Sequence, residues 1–389
     1  MVREIAITVY LFVFRTLFHM FNLFPQKKKT VFVASFGDNI LFTLDELEKQ
    51  VNTQVIILKT SQCKINFGHT STRKIIIFEL SHLFSWIRSI YHLATADKVL
   101  VDNYFGFLAV TDFKPNVQCI QLWHAVGAIK QFSLKDPTVK NRTERANARF
   151  KKVYRRFTHI VVGSEKMIPI FHESFGVSKR VFLRTGVPRT DFFYETAKMH
   201  EVEQNLKSTF PITKRKKVIL YAPTYRDQEL DRMKIELDIK KLEAQLSDEY
   251  VLFLRLHPAV KHKYKDADSN FVYDVTHIAD LNQLLVITDI LITDYSSIPF
   301  EFSMLQRPIV FFAYDLEEYN ENVGFWEDYE TLVPGPVVRN TDDLLETIAE
   351  NKFDLQQVKE FADEWNQYSK GNSSEKLVKA LYNEGPNTN

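Results

Sequence analysis

The chain reads as an α/β protein: two α/β domains facing each other across a groove, preceded by an N-terminal amphipathic helix that associates with a membrane. Three observations predict this. Its 389 residues, at roughly 100–200 per domain, amount to about two domains, each able to bury a core of its own. Short β-branched runs alternate with longer amphipathic segments, as buried parallel strands joined by helices do. A polar stretch interrupts the alternation once, and a second series begins beyond it.

Composition narrows the function classes. Apolar and charged shares of 45% and 25% are ordinary for a globular protein and exclude a disordered or polytopic membrane chain. A net charge of +1 does not match the basic faces of nucleic-acid-binding proteins. Cys63 and Cys119 are the only cysteines, too few for a disulfide framework or a zinc cluster, and they fit a reducing, cytosolic setting. The glycines fall into neither GxGxxG nor GxxxxGK[ST] spacing, so any nucleotide is held by other means.

Ile5–Phe24 is long and apolar enough to span a bilayer. Thr8, Arg15, His19 and Asn22 nevertheless fall on one narrow helical stripe, and Pro25, Lys27, Lys28 and Lys29 follow. An arginine near the middle of a lone spanning helix is costly. The pattern predicts a monotopic anchor lying in the membrane plane; the readings weighed against it are a helix packed on its own domain and a true span. A second basic stretch, Lys140–Arg156, sets eight cations against the single acid Glu144. It predicts a helix whose basic face meets lipid headgroups or a diphosphate, against the plainer reading of a solvated face. Arg15, Lys27, Lys28, Lys29, Arg149, Lys151 and Lys152 are the expected lipid contacts.

Thr30–Phe36, Gln54–Lys59, Lys74–Phe78, Lys98–Val101, Val117–Trp123, His159–Val162 and Arg180–Leu183 read as strands. Ala197–Lys217 is polar without strand signal and reads as the hinge. Val218–Tyr221, Tyr250–Leu256, Asp289–Thr293 and Pro308–Phe312 form the second series. The expected boundaries are a helix at 1–26, domains at 27–200 and 201–375, and a flexible tail at 376–389.

Ligands of open α/β sheets gather at the carboxyl ends of the strands. There the sequence places Trp123-His124-Ala125-Val126-Gly127, in which small residues let a substrate approach a candidate base. Arg255-Leu256-His257-Pro258 supplies a second strand-end histidine. Ser296 and Ser297 open a helical pattern and offer hydroxyls and N–H groups to a phosphate, with Glu301 one turn on. Gly186-Val187-Pro188-Arg189 and Ala222-Pro223-Thr224-Tyr225-Arg226 complete the set. Arg189 reads as a phosphate fork and Arg226 as an ion-pair partner of Asp227.

The ordered set LWHAVGAIK, TGVPRTD, LYAPTYRD, LFLRLHP and ITDYSSIPFEF closely resembles the CDP-glycerol glycerophosphotransferase family of bacterial wall teichoic acid synthesis, from the anchor to about residue 375. VDNYF, WHAVG and SSIPFEF are most similar to its glycerol-phosphate primase branch; the polymerases carry WHGTP, and an Asp where this chain has Glu301. The resemblance implies a GT-B-like pair of Rossmann-type domains. It makes His124 and His257 catalytic, and makes Trp123, His124, Ala125, Val126, Gly127, Arg189, Pro223, Thr224, Arg255, Leu256, His257, Ser296, Ser297 and Glu301 the CDP-glycerol contacts. The implied reaction moves glycerol phosphate from CDP-glycerol to undecaprenyl-diphosphate-linked N-acetylmannosaminyl-N-acetylglucosamine and releases CMP, with His124 as base. The implied setting is the cytoplasmic face of the cell membrane, with other teichoic acid enzymes as further partners. No carboxylate cluster suggests a metal site and no cofactor is expected, so a Mg²⁺ ion would ride on the donor's diphosphate. A sugar-nucleotide glycosyltransferase, an extending transferase or polymerase, and a non-catalytic membrane scaffold are the competing readings.

Overall fold

In a computed structural model the described residues are 2–224, 226, 235–256, 270–278 and 280–382. His257, Asp227 and Tyr225 lie outside them. The chain divides into two compact units, Met1–Ala125 with Phe132–Asp191 and Tyr368–Asn389, and Val126–Gln131 with Phe192–Gln367.

The first unit carries strands β1 (Lys29–Ala34), β2 (Gln54–Lys59), β3 (Arg73–Ile77), β4 (Lys98–Val101), β5 (Gln118–Gln121), β6 (His159–Val161) and β7 (Phe182–Leu183). They form a parallel sheet in the order β3-β2-β1-β4-β5-β6-β7. The second unit repeats the plan with β8 (Lys217–Ala222), β9 (Tyr250–Leu254), β10 (Val272–Asp274), β11 (Ile290–Thr293), β12 (Ile309–Phe312) and β13 (Val337–Val338), in the order β10-β9-β8-β11-β12-β13. All its pairings are parallel as well. Each sheet thus grows outward in both directions from its first strand, the doubly wound order, whose switch point lies between β1 and β4 and between β8 and β11. Every read strand is present to within a few residues. β10 and β13 escaped the reading because three- and two-residue strands carry too little periodicity.

Helix α1 (Val2–Asn22) packs on its own unit. Phe14 and Phe18 are fully buried, and Tyr10 and Phe14 meet Trp86 of a later helix with ring centroids 5.6 and 5.8 Å apart. Its opposite side leaves Ile5, Val9, Phe12 and Met20 exposed, Phe12 at 70%. Helix α2 (Asp38–Gln50) follows β1, α3 (Leu83–Ala94) carries Trp86, and α4 (Glu144–Tyr154) is the expected basic helix, capped by Thr143, whose hydroxyl accepts from the Ala146 N–H. One expectation fails here. Lys29 opens β1 and is 1% exposed, its ammonium donating to Thr95 Oγ1 at 2.6 Å, so it cannot face lipid; burial pushes its pKa down to about 8. Arg149 forks onto Glu4 of α1 at 3.3 Å through each nitrogen, while Lys151 and Lys152 are exposed.

The expected hinge is a helix, Thr196–Thr209, followed by the 3-10 turn Pro211–Lys214, and it belongs to the second unit, which resumes at Phe192 rather than near 201. A helix that buries only Leu206 has almost no apolar stripe to read. The expected tail also fails over 376–382. The chain returns to the first unit at Tyr368, and its last described helix, Ser373–Tyr382, buries Leu377, Val378 and Leu381 beside Leu44 and Leu47 of α2. Asp191 caps that helix, accepting from the Ser373 and Ser374 N–H groups at 2.8 Å each.

Candidate functional site

In the first unit the site grows from the strand ends at the switch point. Asp102 directly follows β4 and is 1% exposed. Its carboxylate accepts from the backbone N–H groups of Ser35, Phe36 and Gly37 after β1, at 2.7–3.1 Å. In a dinucleotide-binding sheet such a nest of amides meets a phosphate; here a built-in carboxylate fills it, which accounts for the missing glycine fingerprint. Burial pushes the Asp102 carboxyl up to about 6 while those three amides pull it down. Gly37 sits at φ +101°, and a Cβ there would lie 2.8 Å from Cys63 Sγ, so this turn requires glycine.

The Asp102 backbone carbonyl, in turn, lies 3.3 Å from His124 Nδ1. A carbonyl only accepts, so Nδ1 carries the proton and Nε2 keeps its lone pair, the tautomer that a base needs. The imidazole stacks on Phe36, with centroids 4.1 Å apart and planes at 10°. Its packing, and then the Arg189 guanidinium, push its pKa down to about 4 against the opposing bond to Asp102; the ring is neutral at pH 7.

Asn39 of α2 ties the flanking loops together. Its Nδ2 donates to the Trp123 carbonyl at 2.9 Å and its Oδ1 accepts from the Arg189 N–H at 3.0 Å. Trp123 holds a left-handed backbone, φ +60°, a strain of about 1–2 kcal/mol. That strain is held by the Gln121 Oε1 bond to its N–H at 2.8 Å and by its ring against Phe132 at 5.1 Å.

The second unit repeats the device. Asp294 directly follows β11, is 2% exposed, and accepts from the N–H of Thr224 after β8 at 2.7 Å. It also accepts from the Tyr295 N–H at 2.7 Å and from Arg226 Nη1 at 3.1 Å. Arg226 pairs with Asp315 as well, at 2.9 Å through Nε and Nη2, and lies over the Tyr295 and Tyr319 rings. Burial opposes its charge, but the two carboxylates outweigh it and hold the guanidinium ionised. Arg226 is thus an ion-pair residue as expected, with Asp294 and Asp315 as its partners; the expected partner, Asp227, lies outside the described residues.

The expected donor contacts sort by exposure. Trp123, His124, Ala125 and Arg189 in the first unit, and Pro223, Thr224, Arg255, Ser296 and Ser297 in the second, are half-buried at the carboxyl ends of strands. Thr224 Oγ1 meets no hydrogen-bond partner among the described residues. Val126, Gly127, Leu256 and Glu301 are buried instead. Gly127 does not make room for substrate: the space a Cβ would take is held by the Phe300 ring. Leu256 lies in the second unit's core, its N–H on Thr276 Oγ1 at 3.0 Å. Ser296 and Ser297 precede a helix of only five residues, Ile298–Phe302, so the dipole behind them is short. Ser296 Oγ accepts from the Ile298 N–H at 3.3 Å. Asp102, Asn39, Asp294 and Asp315 were missed as positioning residues. An acid placed directly after a buried strand was the available signal for the first and third.

Residues 16–383 match the family described as CDP-Glycerol:Poly(glycerophosphate) glycerophosphotransferase. The chain belongs to this family. Among glycerophosphotransferases it is 35% identical over 387 residues, 98% of this chain and 99% of the other, to the teichoic acid glycerol-phosphate primase of Bacillus subtilis (strain 168). It is 37% identical over 348 residues, 89% of this chain and 90% of the other, to the primase of Bacillus spizizenii (strain ATCC 23059 / NRRL B-14472 / W23). The solved wall teichoic acid polymerase TagF shares the fold, with a TM-score of 0.79 at 22% identity over 98% of both chains.

Proposed function

We propose that this glycerophosphotransferase is a primase: it transfers glycerol phosphate from CDP-glycerol to an undecaprenyl-diphosphate-linked N-acetylmannosaminyl-N-acetylglucosamine and releases CMP. The observation that carries the reading is the similarity to two primases along nearly the whole chain. Two Rossmann-type units are the make-up of a GT-B enzyme, and that assignment belongs to the same proposal. The acceptor hydroxyl gives its proton to His124 Nε2 as its oxygen attacks the glycerol-bearing phosphorus. The phosphorus–oxygen bond to CMP breaks, and CMP leaves with the electron pair. Arg189, Thr224, Arg255 and the amides at Ser296 and Ser297 hold the phosphate oxygens, since preorganised donors stabilise the charge that develops there. His257, Val126, Gly127, Leu256 and Glu301 keep the donor contacts that the resemblance gives them only as part of this proposal, and Mg²⁺ enters, where used, on the donor's diphosphate.

The test is CMP release by the full chain with CDP-glycerol and a synthetic lipid-linked disaccharide, with the product's mass read alongside. One added glycerol phosphate is expected. Several additions, or activity only on an acceptor already carrying glycerol phosphate, would instead make it an extending transferase. No CMP release with any acceptor overturns both.

The same reading places the protein on the cytoplasmic face of the membrane, with α1 in the membrane plane. By length and composition Arg3–Asn22 could cross a bilayer, yet Phe14 and Phe18 are buried in the fold and the outward side carries Phe12 and Met20. Phe12→Asp with Met20→Asp removes only exposed side chains, so stability changes little. Co-sedimentation with phosphatidylglycerol vesicles should fall at least tenfold; unchanged binding would remove α1 as the anchor.

A further inference from the structure

We infer that a groove of about 570 Å³ in the first unit is the seat of a lipid diphosphate and that α1 is one of its walls, so that the helix read as the anchor also forms part of the acceptor site. The inference rests on the primase reading for its substrate class and on the structure for its place. Arg3, Ile7, Tyr10 and Leu11 line one side, the i, i+4, i+7, i+8 stripe of a single helix face. They grade from a cation at the N-terminus to apolar side chains along the helix, the order of a diphosphate followed by its hydrocarbon chain.

Arg149 of α4 faces the same space, with the Tyr104 ring stacked on Phe150 at 4.5 Å beside it. Its two bonds to Glu4, at 3.3 Å, are longer than the 2.7–2.9 Å usual for charge-assisted pairs. Glu4 therefore stands as a loosely held internal anion that a diphosphate can displace. Glu79, the one acid on the lining among the described residues, already accepts from the Ser61 N–H at 2.7 Å. Ser35 and Asn103 make a polar part of the groove's lining: Asn103 Nδ2 donates to Ser35 Oγ at 3.2 Å, and these two residues flank the Asp102 nest whose carbonyl orients His124. A sugar attached to the diphosphate would lie on this polar part, towards the base.

The experiment titrates the full chain with farnesyl diphosphate, and in parallel with inorganic pyrophosphate and with CDP-glycerol, by calorimetry. Arg149→Ala should weaken farnesyl diphosphate about ten- to a hundredfold and leave CDP-glycerol unchanged. Ser61→Trp, at an exposed position on the rim, should do the same without touching the Glu4 pair, which guards against a detached α1. Equal affinity for pyrophosphate and farnesyl diphosphate would overturn the role of α1 as a wall. Farnesyl diphosphate binding untouched by either variant would overturn the site even in an enzyme that releases CMP. Groove-dependent binding without CMP release from any acceptor would leave the site standing and remove the primase reading instead.

Discussion

His124→Gln lowers CMP release about 10²–10⁴-fold, the contribution of a general base, while the fold is retained, because glutamine can still donate towards the Asp102 carbonyl. The pH profile separates this role from a structural one. In the free enzyme the His124 pKa is pushed down to about 4. A base works above its pKa and is lost as pH falls through it, so kcat/KM should stay flat below pH 7 and fall near pH 4 rather than near the ordinary 6.5. Donor binding brings a negative diphosphate towards the ring and favours the imidazolium, so the acid limb of kcat should lie at higher pH than that of kcat/KM. Arg189→Ala removes a cation that depresses the histidine and should move the kcat/KM limb upward as well. An acid limb at 6.5 in the wild type, or near-normal turnover by His124→Gln, would sink the assignment.

Gln54–Lys59 and Lys98–Val101 could be read to the residue because a parallel strand covered on both faces is a plain hydrophobic run, and its end is marked by the first polar residue. The same rule located His124, Thr224 and Ser296. It could not show how those ends are held. The contacts that fix them run from Asp102 to Gly37 and from Asp294 to Thr224, across 65 and 70 residues, and the groups they bind are backbone amides, which have no side-chain signature. The C-terminal helix was legible and passed over: Leu377, Val378 and Leu381 fall on one helical face. Helix α1 misleads for the opposite reason. It is apolar on both sides, one packed on Trp86 and one exposed, and hydropathy alone does not say which side meets protein. Val126 was assigned to the ligand by resemblance alone, and Gly127 also as a small residue beside the base; both belong to a six-residue segment of the second unit held by the antiparallel bridge between Lys130 and Phe325. A motif read as one loop is thus divided between two units.

Asp294→Ala should cost about 3–5 kcal/mol, the usual result of removing one partner of a buried ion pair, and lower Tm by roughly 10 °C. Asp294 is nearly inaccessible and serves three donors at once. Its loss leaves the Thr224 and Tyr295 amides without an acceptor, each worth about 1–3 kcal/mol when buried. Arg226 keeps Asp315 at 2.9 Å, which holds the damage towards the lower end of the range. Arg226→Met makes the complementary case, leaving Asp294 and Asp315 as carboxylates without their shared cation. Because the two residues belong to one network, the double variant should lose clearly less than the sum of the single losses. Asp294→Asn keeps an acceptor for the amides and lacks only the charge, so it should fall between wild type and alanine. CMP release should drop in step in the alanine variant, since the amide that fixes Thr224 has lost its partner, whereas His124→Gln should lose activity at full stability. Strict additivity, or an alanine variant as stable as the wild type, would show that the loop after β8 is held by something other than the carboxylate at the end of β11.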